Sequence, residues 1–371
     1  MIPLFDLSFQ NAPLTSSLTE SFQEILSSNQ FILGAQVTDF ETKCSKFLGS
    51  KHTVGVSSGS DALILALKSL GIGPGDEVIL PSFTFIATAS AICWVGAKPV
   101  FVDINSETFN ISVESFEAAI TSKTKAVIPV HLYGLPINLE EILKISNRHN
   151  IFIIEDAAQA FGATINDRKV GTFGSLGCFS FFPTKPLGGF GDGGLISVNS
   201  LELLEKILAM RQQRSIGSLT FSQMGGNFRL DALQAALLSI KIDYVDLWRE
   251  RREQAAKKYL EIFSSFNLNE KIVLPKFPED YLKSSWALFT IRVQKRPALI
   301  QFLREKGIGC AIYYPQPLHL QKIFSNYTYS VGSLPESERV SQEVLSLPLF
   351  AGISERQIYK VVRTIKDFFD A

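Results

Sequence analysis

The sequence predicts an α/β fold: a large domain with a mostly parallel central sheet covered by helices, then a small C-terminal α/β domain. Three observations carry this. From about residue 52 to 200, short apolar runs alternate with amphipathic segments at βα spacing. The runs are continuously apolar rather than alternating, as strands buried on both faces are. After Arg229 a long helical stretch turns from apolar to heavily charged, and a shorter α/β pattern follows. A chain of 371 residues is long enough to build both units.

In order, HTVGVSS (52–58) reads as a strand and SDALILALKSL (60–70) as the helix after it. DEVILP (76–81) is a strand, TFIATASAICWVG (84–96) a helix and KPVFVDI (98–104) a strand. AVIPVHLYG (126–134) and NIFIIED (150–156) are two more strands, separated by the helix NLEEILKISNRH (138–149). CFSFF (178–182) and GLISVN (194–199) follow with only a loop between them. The stretch LDALQAALLSIKIDYVDLWRERREQAAKKYLEIF reads as one helix linking a large domain, 1–245 with an N-terminal arm, to a small one, 246–371. The small domain contains WALFTIRV, the helix RPALIQFLREKGI and a final helix ending at Ala371.

Composition narrows the function. Thirty-six basic residues balance 36 acidic ones, so neither nucleic acid nor an anionic membrane is expected as partner. Cys44, Cys93, Cys178 and Cys310 are scattered without a C-x-x-C pair, which suits reduced thiols in a cytoplasmic protein. His52, His131, His149 and His319 are isolated, so no metal site is expected. MIPLFDLSFQ has neither a basic n-region nor an apolar h-region, and no apolar run approaches membrane-spanning length.

Two segments carry the chemistry. Lys185 stands in FSFFPTKPLGG (179–189), apolar and bounded by Gly and Pro, with no nearby charge but Asp192. A lysine desolvated there has a lowered pKa and is a competent nucleophile toward an aldehyde. Asp156 ends the apolar run IFIIE, which places it at the carboxyl end of a buried strand, where sites in open α/β sheets form. A buried carboxylate there suits a protonated pyridine nitrogen, and a lysine plus a carboxylate are what a pyridoxal phosphate site needs. In isolation Asp156 is equally an ordinary helix N-cap. Gln159 follows within the first turn, and Ser180 offers a hydroxyl. In VSSGSDAL (56–63), Gly59, Ser60 and Asp61 open a helix whose free N–H groups form an anion seat; the plainer reading is N-capping by Ser60. GFGDGG (189–194) matches G-x-G-x-x-G but precedes a strand rather than a helix, so a nicotinamide site is not expected.

Taken together these segments, with GDEVILPSFTFIATASAICWVGAKPVFVDI, PVHLYG, IEDAAQAFGA, GGNFRLDALQAALL and YYPQPLHLQ, resemble the DegT-type sugar aminotransferases of the pyridoxal phosphate fold type I. The resemblance runs nearly end to end. It implies that Lys185 is the Schiff-base lysine and proton carrier and Asp156 the ring-nitrogen partner. Gln159 then lies beside the ring hydroxyl, Gly59, Ser60 and Ser180 at the phosphate, and Phe85 on the ring face. Asn227 matches a residue reaching the cofactor phosphate of a partner subunit, which implies a homodimer with shared sites. Arg229, Tyr313 and His319 become substrate-side candidates; Arg229 either meets a carboxylate or makes a structural ion pair. Lysine at 185, where family dehydratases carry histidine, favours transamination. Asp192 favours a C3 ketone, and the wording FFPTKPLGGFGDGG resembles enzymes acting on UDP-2-acetamido-3-keto-glucuronate in O-antigen lipopolysaccharide synthesis, with L-glutamate as donor and 2-oxoglutarate as product. The alternatives are a dTDP-3-keto-6-deoxyhexose aminotransferase and a regulatory, non-catalytic member. The chain departs from the family in RQQRSIGSLTFSQM (211–224) and in Tyr313, where a histidine is usual.

Overall fold

A computed structural model describes residues 1–213, 224–268 and 270–371. Its core is a seven-stranded sheet built from β1 (His52–Val56), β2 (Glu77–Pro81), β3 (Lys98–Val102), β4 (Thr124–Val127), β5 (Phe152–Asp156), β6 (Leu176–Ser180) and β7 (Gly194–Val198). The spatial order is β1-β7-β6-β5-β4-β2-β3. Only β7 is antiparallel, paired with both β1 and β6. Period two sends alternate side chains of each strand into two separate apolar layers. Ile79, Val127 and Ile153 enter one, while Val78, Leu80, Ala126 and Ile154 enter the other. That double burial is the reason the strands read as unbroken apolar runs.

Three segments differ from the sequence expectation. The run 126–134 stays extended only to Val127; Pro129 has no N–H to continue a ladder, and the chain turns through Leu132–Gly134. Helix α1 (Gly59–Ser69) is capped by Ser58, whose hydroxyl accepts from the Asp61 N–H at 3.1 Å, and not by Ser60. The long linking helix is two helices, α2 (Ala232–Lys241) and α3 (Val245–Ser265), with a 3₁₀ turn at Ile242–Tyr244 between them. Leu238, Ile242 and Val245 pack in the large core, and the turn frees α3 to carry Ala256, Tyr259 and Phe263 into another.

That second core surrounds a small sheet of Ile272–Val273, Phe289–Val293 and Val344–Leu347, covered by the C-terminal helix Glu355–Asp370. The start of the chain belongs to it too: Ile2 is buried there and exchanges backbone hydrogen bonds with Gly307 and Gly309, 2.8 Å each. Among the described residues, no helix is long and apolar enough to cross a membrane.

Candidate active site

The carboxyl ends of β1, β2, β5 and β6 meet at one cavity of about 410 Å³, within the usual range for small-molecule sites. Parallel strands deliver their ends to the same edge, so residues far apart in sequence converge there.

At the end of β1 the first turn of α1 contributes Ser58, Gly59 and Ser60 to the lining. The first intrahelical bond is made by the Ala62 N–H to the Ser58 carbonyl, 3.0 Å. The N–H groups of Gly59 and Ser60 therefore precede the helical ladder and face outward as an anion seat. Gly59 is required by packing: a Cβ there would lie 2.8 Å from Ser180 Cβ, so a side chain would push the turn away from β6. Asp61 lies behind this seat and does not line the cavity. Its carboxylate accepts the hydroxyls of Ser57 at 2.6 Å and Ser58 at 2.8 Å, and its own N–H is taken by the cap. Asp61 therefore orients the seat, where the sequence had placed it in contact with the ligand.

At the end of β5, Asp156 is 6% exposed. Oδ2 accepts the Thr88 hydroxyl at 2.8 Å and Oδ1 the Ala158 N–H at 3.2 Å. Burial pushes this carboxyl above its ordinary value, against the pull of Thr88, Ala158 and Lys185. Lys185, on the loop after β6, also lines the cavity. Burial lowers its amine below the ordinary lysine value, and the Asp156 charge opposes that. Ser180 lies at the rim, and Phe85, half exposed, presents its ring to the same space. Gln159 is held at both ends of its amide: Oε1 accepts the Tyr133 N–H at 2.7 Å, and Nε2 donates to the Tyr314 hydroxyl at 3.2 Å.

The neighbouring carboxylate on β5 has a different task. Glu155 points to the opposite face and accepts N–H groups of Gly171, Phe173 and Gly174, each at 2.7 Å, and His131 Nε2 at 3.0 Å. His131 Nδ1 accepts the Ile137 N–H at 3.1 Å, so the ring proton lies on Nε2 and is donated to Glu155.

The substrate-side candidates divide. Tyr313 lines the cavity, and its carbonyl accepts the Tyr133 hydroxyl. Arg229 and Asn227 do not line it. Their segment runs beside the end of β1, where the Phe228 carbonyl accepts the Ser57 N–H at 3.0 Å. Asn227 is exposed, and Arg229 Nε is buried with no hydrogen-bond partner among the described residues. His319 is a correction: it is 2% exposed, with Nδ1 2.6 Å from Ser82 Oγ and Nε2 3.2 Å from Glu338 Oε1. With both nitrogens engaged it ties chain segments together and has nothing left for a substrate. The departure at 211–224 falls mostly outside the described residues.

Sequence reasoning missed Thr84, Thr88, Tyr314 and Phe5. Of these Thr84, Tyr314 and Phe5 line the cavity. Tyr314 had a visible signal, standing beside Tyr313 in YYPQP; Thr88 had a weaker one, one helical turn after Phe85. Among the described residues no cluster of His, Cys, Asp or Glu could hold a metal ion.

The cavity thus offers an anion seat, an aromatic face, a buried carboxylate and a lysine with a depressed pKa. This set fits a flat, phosphate-bearing aldehyde whose ring nitrogen carries a proton. Among known proteins, residues 14–366 match the DegT/DnrJ/EryC1/StrS aminotransferase family. The chain is 44% identical to a pleiotropic regulatory protein of Geobacillus stearothermophilus, over 99% of this chain and 98% of that one. It is 42% identical to a UDP-N-acetyl-3-dehydro-alpha-D-glucosamine 3-aminotransferase of Acidithiobacillus ferrooxidans, over 98% and 97%. The crystal structure of S. venezuelae DesV superposes with a TM-score of 0.95 at 36% identity, covering 100% of this chain and 99% of that one.

Proposed function

The chain belongs to the DegT/DnrJ/EryC1/StrS aminotransferase family, and from that premise we propose that it moves the amino group of L-glutamate to C3 of a nucleotide-linked ketosugar whose C5 substituent is uncharged. It is a pyridoxal phosphate-dependent enzyme acting on 3-keto sugar nucleotides. The observation that carries the finer reading is the lining: among the described residues that form it, Lys185 is the one cation. Among the described residues, a uronate carboxylate would enter a cavity already holding Asp156 and Asp192 with no guanidinium in its lining to meet it, and an unpaired buried charge is costly. The 42% identical relative, named for an uncharged 3-ketosugar, agrees. UDP-2-acetamido-3-keto-glucose is therefore the favoured acceptor. The second reading, a 3-keto-glucuronate of O-antigen synthesis, rests on Arg229, whose Nε has no partner among the described residues.

When bound, pyridoxal phosphate supplies an aldehyde that accepts an amino group and a ring that withdraws electrons from the reacting carbon. The chain's residues do the rest. Gly59 and Ser60 hold the phosphate by N–H groups at the N-terminus of α1, and Ser180 adds a hydroxyl. Asp156 keeps a proton on the ring nitrogen by a charge-assisted hydrogen bond. Phe85 covers a ring face. Lys185 would anchor the aldehyde, and its amine, free of that bond, would take the proton from the α-carbon of the amino donor. Its depressed pKa leaves a larger fraction of neutral amine to do so.

A homodimer completes the site. Phe22, Leu26, Phe31 and Ile32 are exposed on and just after the helix Thr15–Ser28, an apolar surface that a second copy would cover. Asn227, exposed beside the anion seat, is the residue offered to the partner. The free cysteines suit the cytoplasm.

The test is a glutamate half-reaction, read as the visible cofactor band and as 2-oxoglutarate released, followed by kcat/KM for the two 3-ketosugars. Release of one equivalent per site and a preference for the uncharged sugar are expected. Preference for the uronate would reverse the choice, and no release would remove glutamate as donor.

A further inference from the structure

Thr88 is fully buried on the first turn of the helix Ile86–Trp94 and does not line the cavity. Its Oγ1 lies 2.8 Å from Asp156 Oδ2 and 3.3 Å from Thr84 Oγ1. These distances fix the direction of the hydrogens. An ionised carboxylate can only accept, so the single hydroxyl proton of Thr88 goes to Asp156. The 3.3 Å contact then has Thr84 as its donor when it is made. With its proton directed inward, Thr84, which does line the cavity, presents only lone pairs to it. The two threonines form a one-way chain from the cavity wall to the carboxylate, each bond polarising the next.

We propose that Thr88, backed by Thr84, is a positioning residue that orients and stabilises the Asp156 carboxylate toward the ring nitrogen of the cofactor. The carboxylate has about four lone-pair sites. Thr88 and the Ala158 N–H occupy one on each oxygen, which fixes the carboxylate plane and leaves the others for the ring. Of the forces that offset the cost of burying this charge, the Thr88 hydrogen bond is the largest. The other titratable groups facing Asp156 are Lys185, whose charge favours its ionisation, His131, whose one ring proton goes to Glu155, and Cys178 and Tyr314, whose own ionisation the Asp156 charge opposes. None of these is altered by changing Thr88. A threonine placed only for packing would be replaced by valine without consequence, since the two have the same shape.

The experiment compares wild-type, Thr88→Val, Thr88→Ser and Thr84→Val holoenzymes. The readouts are the pH titration of the cofactor's visible band, the cofactor Kd measured on apoenzyme, and the pH profile of the glutamate half-reaction. Loss of the donor raises the pH at which Asp156 ionises. For Thr88→Val the acid limb should therefore move up by about one pH unit and kcat fall on the order of tenfold, as for loss of one bond to a charge. KM for glutamate should change by less than about twofold, and cofactor binding should weaken. Thr88→Ser should stay close to wild type, and Thr84→Val should shift the limb the same way by less. An unmoved limb in Thr88→Val, or a Thr88→Ser variant as impaired as Thr88→Val, overturns the proposal. Should Thr88→Val fail to fold, Thr84→Val decides by the same readout. A wild-type protein that releases no 2-oxoglutarate would refute the donor assignment instead, and the band titration would still test Thr88.

Discussion

Asp156 and Ser180 end buried strands, whereas Tyr313, Asn227 and Arg229 ride on loops, and the two sets behave differently under the same sequence reasoning. A strand end inherits its direction from the period of the sheet. Once Ile154 is known to enter one apolar layer, Asp156 must face the same side and Glu155 the other. A loop has no such period. Lys185 is the exception, since its loop is fastened at several points: the Lys185 N–H to the Phe182 carbonyl at 2.8 Å, the Phe190 N–H to Gln234, and Gly188 to the buried Lys241. Chemistry is reliable to read where backbone geometry is imposed from outside, and unreliable where it is not.

Substitutions can break or sharpen this contrast. Lys185→Ala should abolish the glutamate half-reaction, by at least about 10³-fold in a single-turnover assay, because the proposed anchoring and proton transfer both reside there. Asp156→Asn should cost on the order of 10²-fold in kcat, whereas Arg229→Leu should change kcat/KM for an uncharged 3-ketosugar by less than about threefold. A larger loss from Arg229→Leu than from Asp156→Asn would reverse the ranking of strand over loop. Glu155→Gln leaves activity chemistry untouched but puts an NH₂ against backbone donors; a loss of about 2–3 kcal/mol in denaturant unfolding is expected.

The smallest effect concerns Lys241, buried beneath the Lys185 loop beside the Phe190 and Trp248 rings, its pKa lowered by burial to about 8. Below about pH 8 the lysine is charged in both folded and unfolded chains, and the burial penalty is fully present. As pH rises toward its ordinary value of 10.5, the folded chain loses the proton first, so stability rises across that window. The slope contributed approaches about 1.4 kcal/mol per pH unit. Lys241→Met should lose that rise, and unfolding measured from pH 8 to 10 checks it.

Much of the frame was legible: the alternation of strands and helices, the position of Asp156, and the loop carrying Lys185. What escaped had physical reasons. His319 carries the residue type of a ligand-binder, and only the fold reveals that Ser82 and Glu338, distant in sequence, occupy both its nitrogens. Thr88 reads as one more small residue in an apolar helix, because its partner is 68 residues away. The break at Ile242–Tyr244 leaves no mark in a pattern that stays helical on both sides.

The antiparallel strand β7 is the bond between an early and a late part of the site along the chain. It pairs β1 with β6, so His52 waits for Val198, and Gly194 packs so tightly against Ser58 that a Cβ would lie 2.4 Å from its carbonyl carbon. A nascent chain stopped short of Gly194 has two unpaired strand edges and no fixed anion seat. The anion seat and the strand that carries Ser180 are thus held to one another only once residues 194–198 are in the sheet.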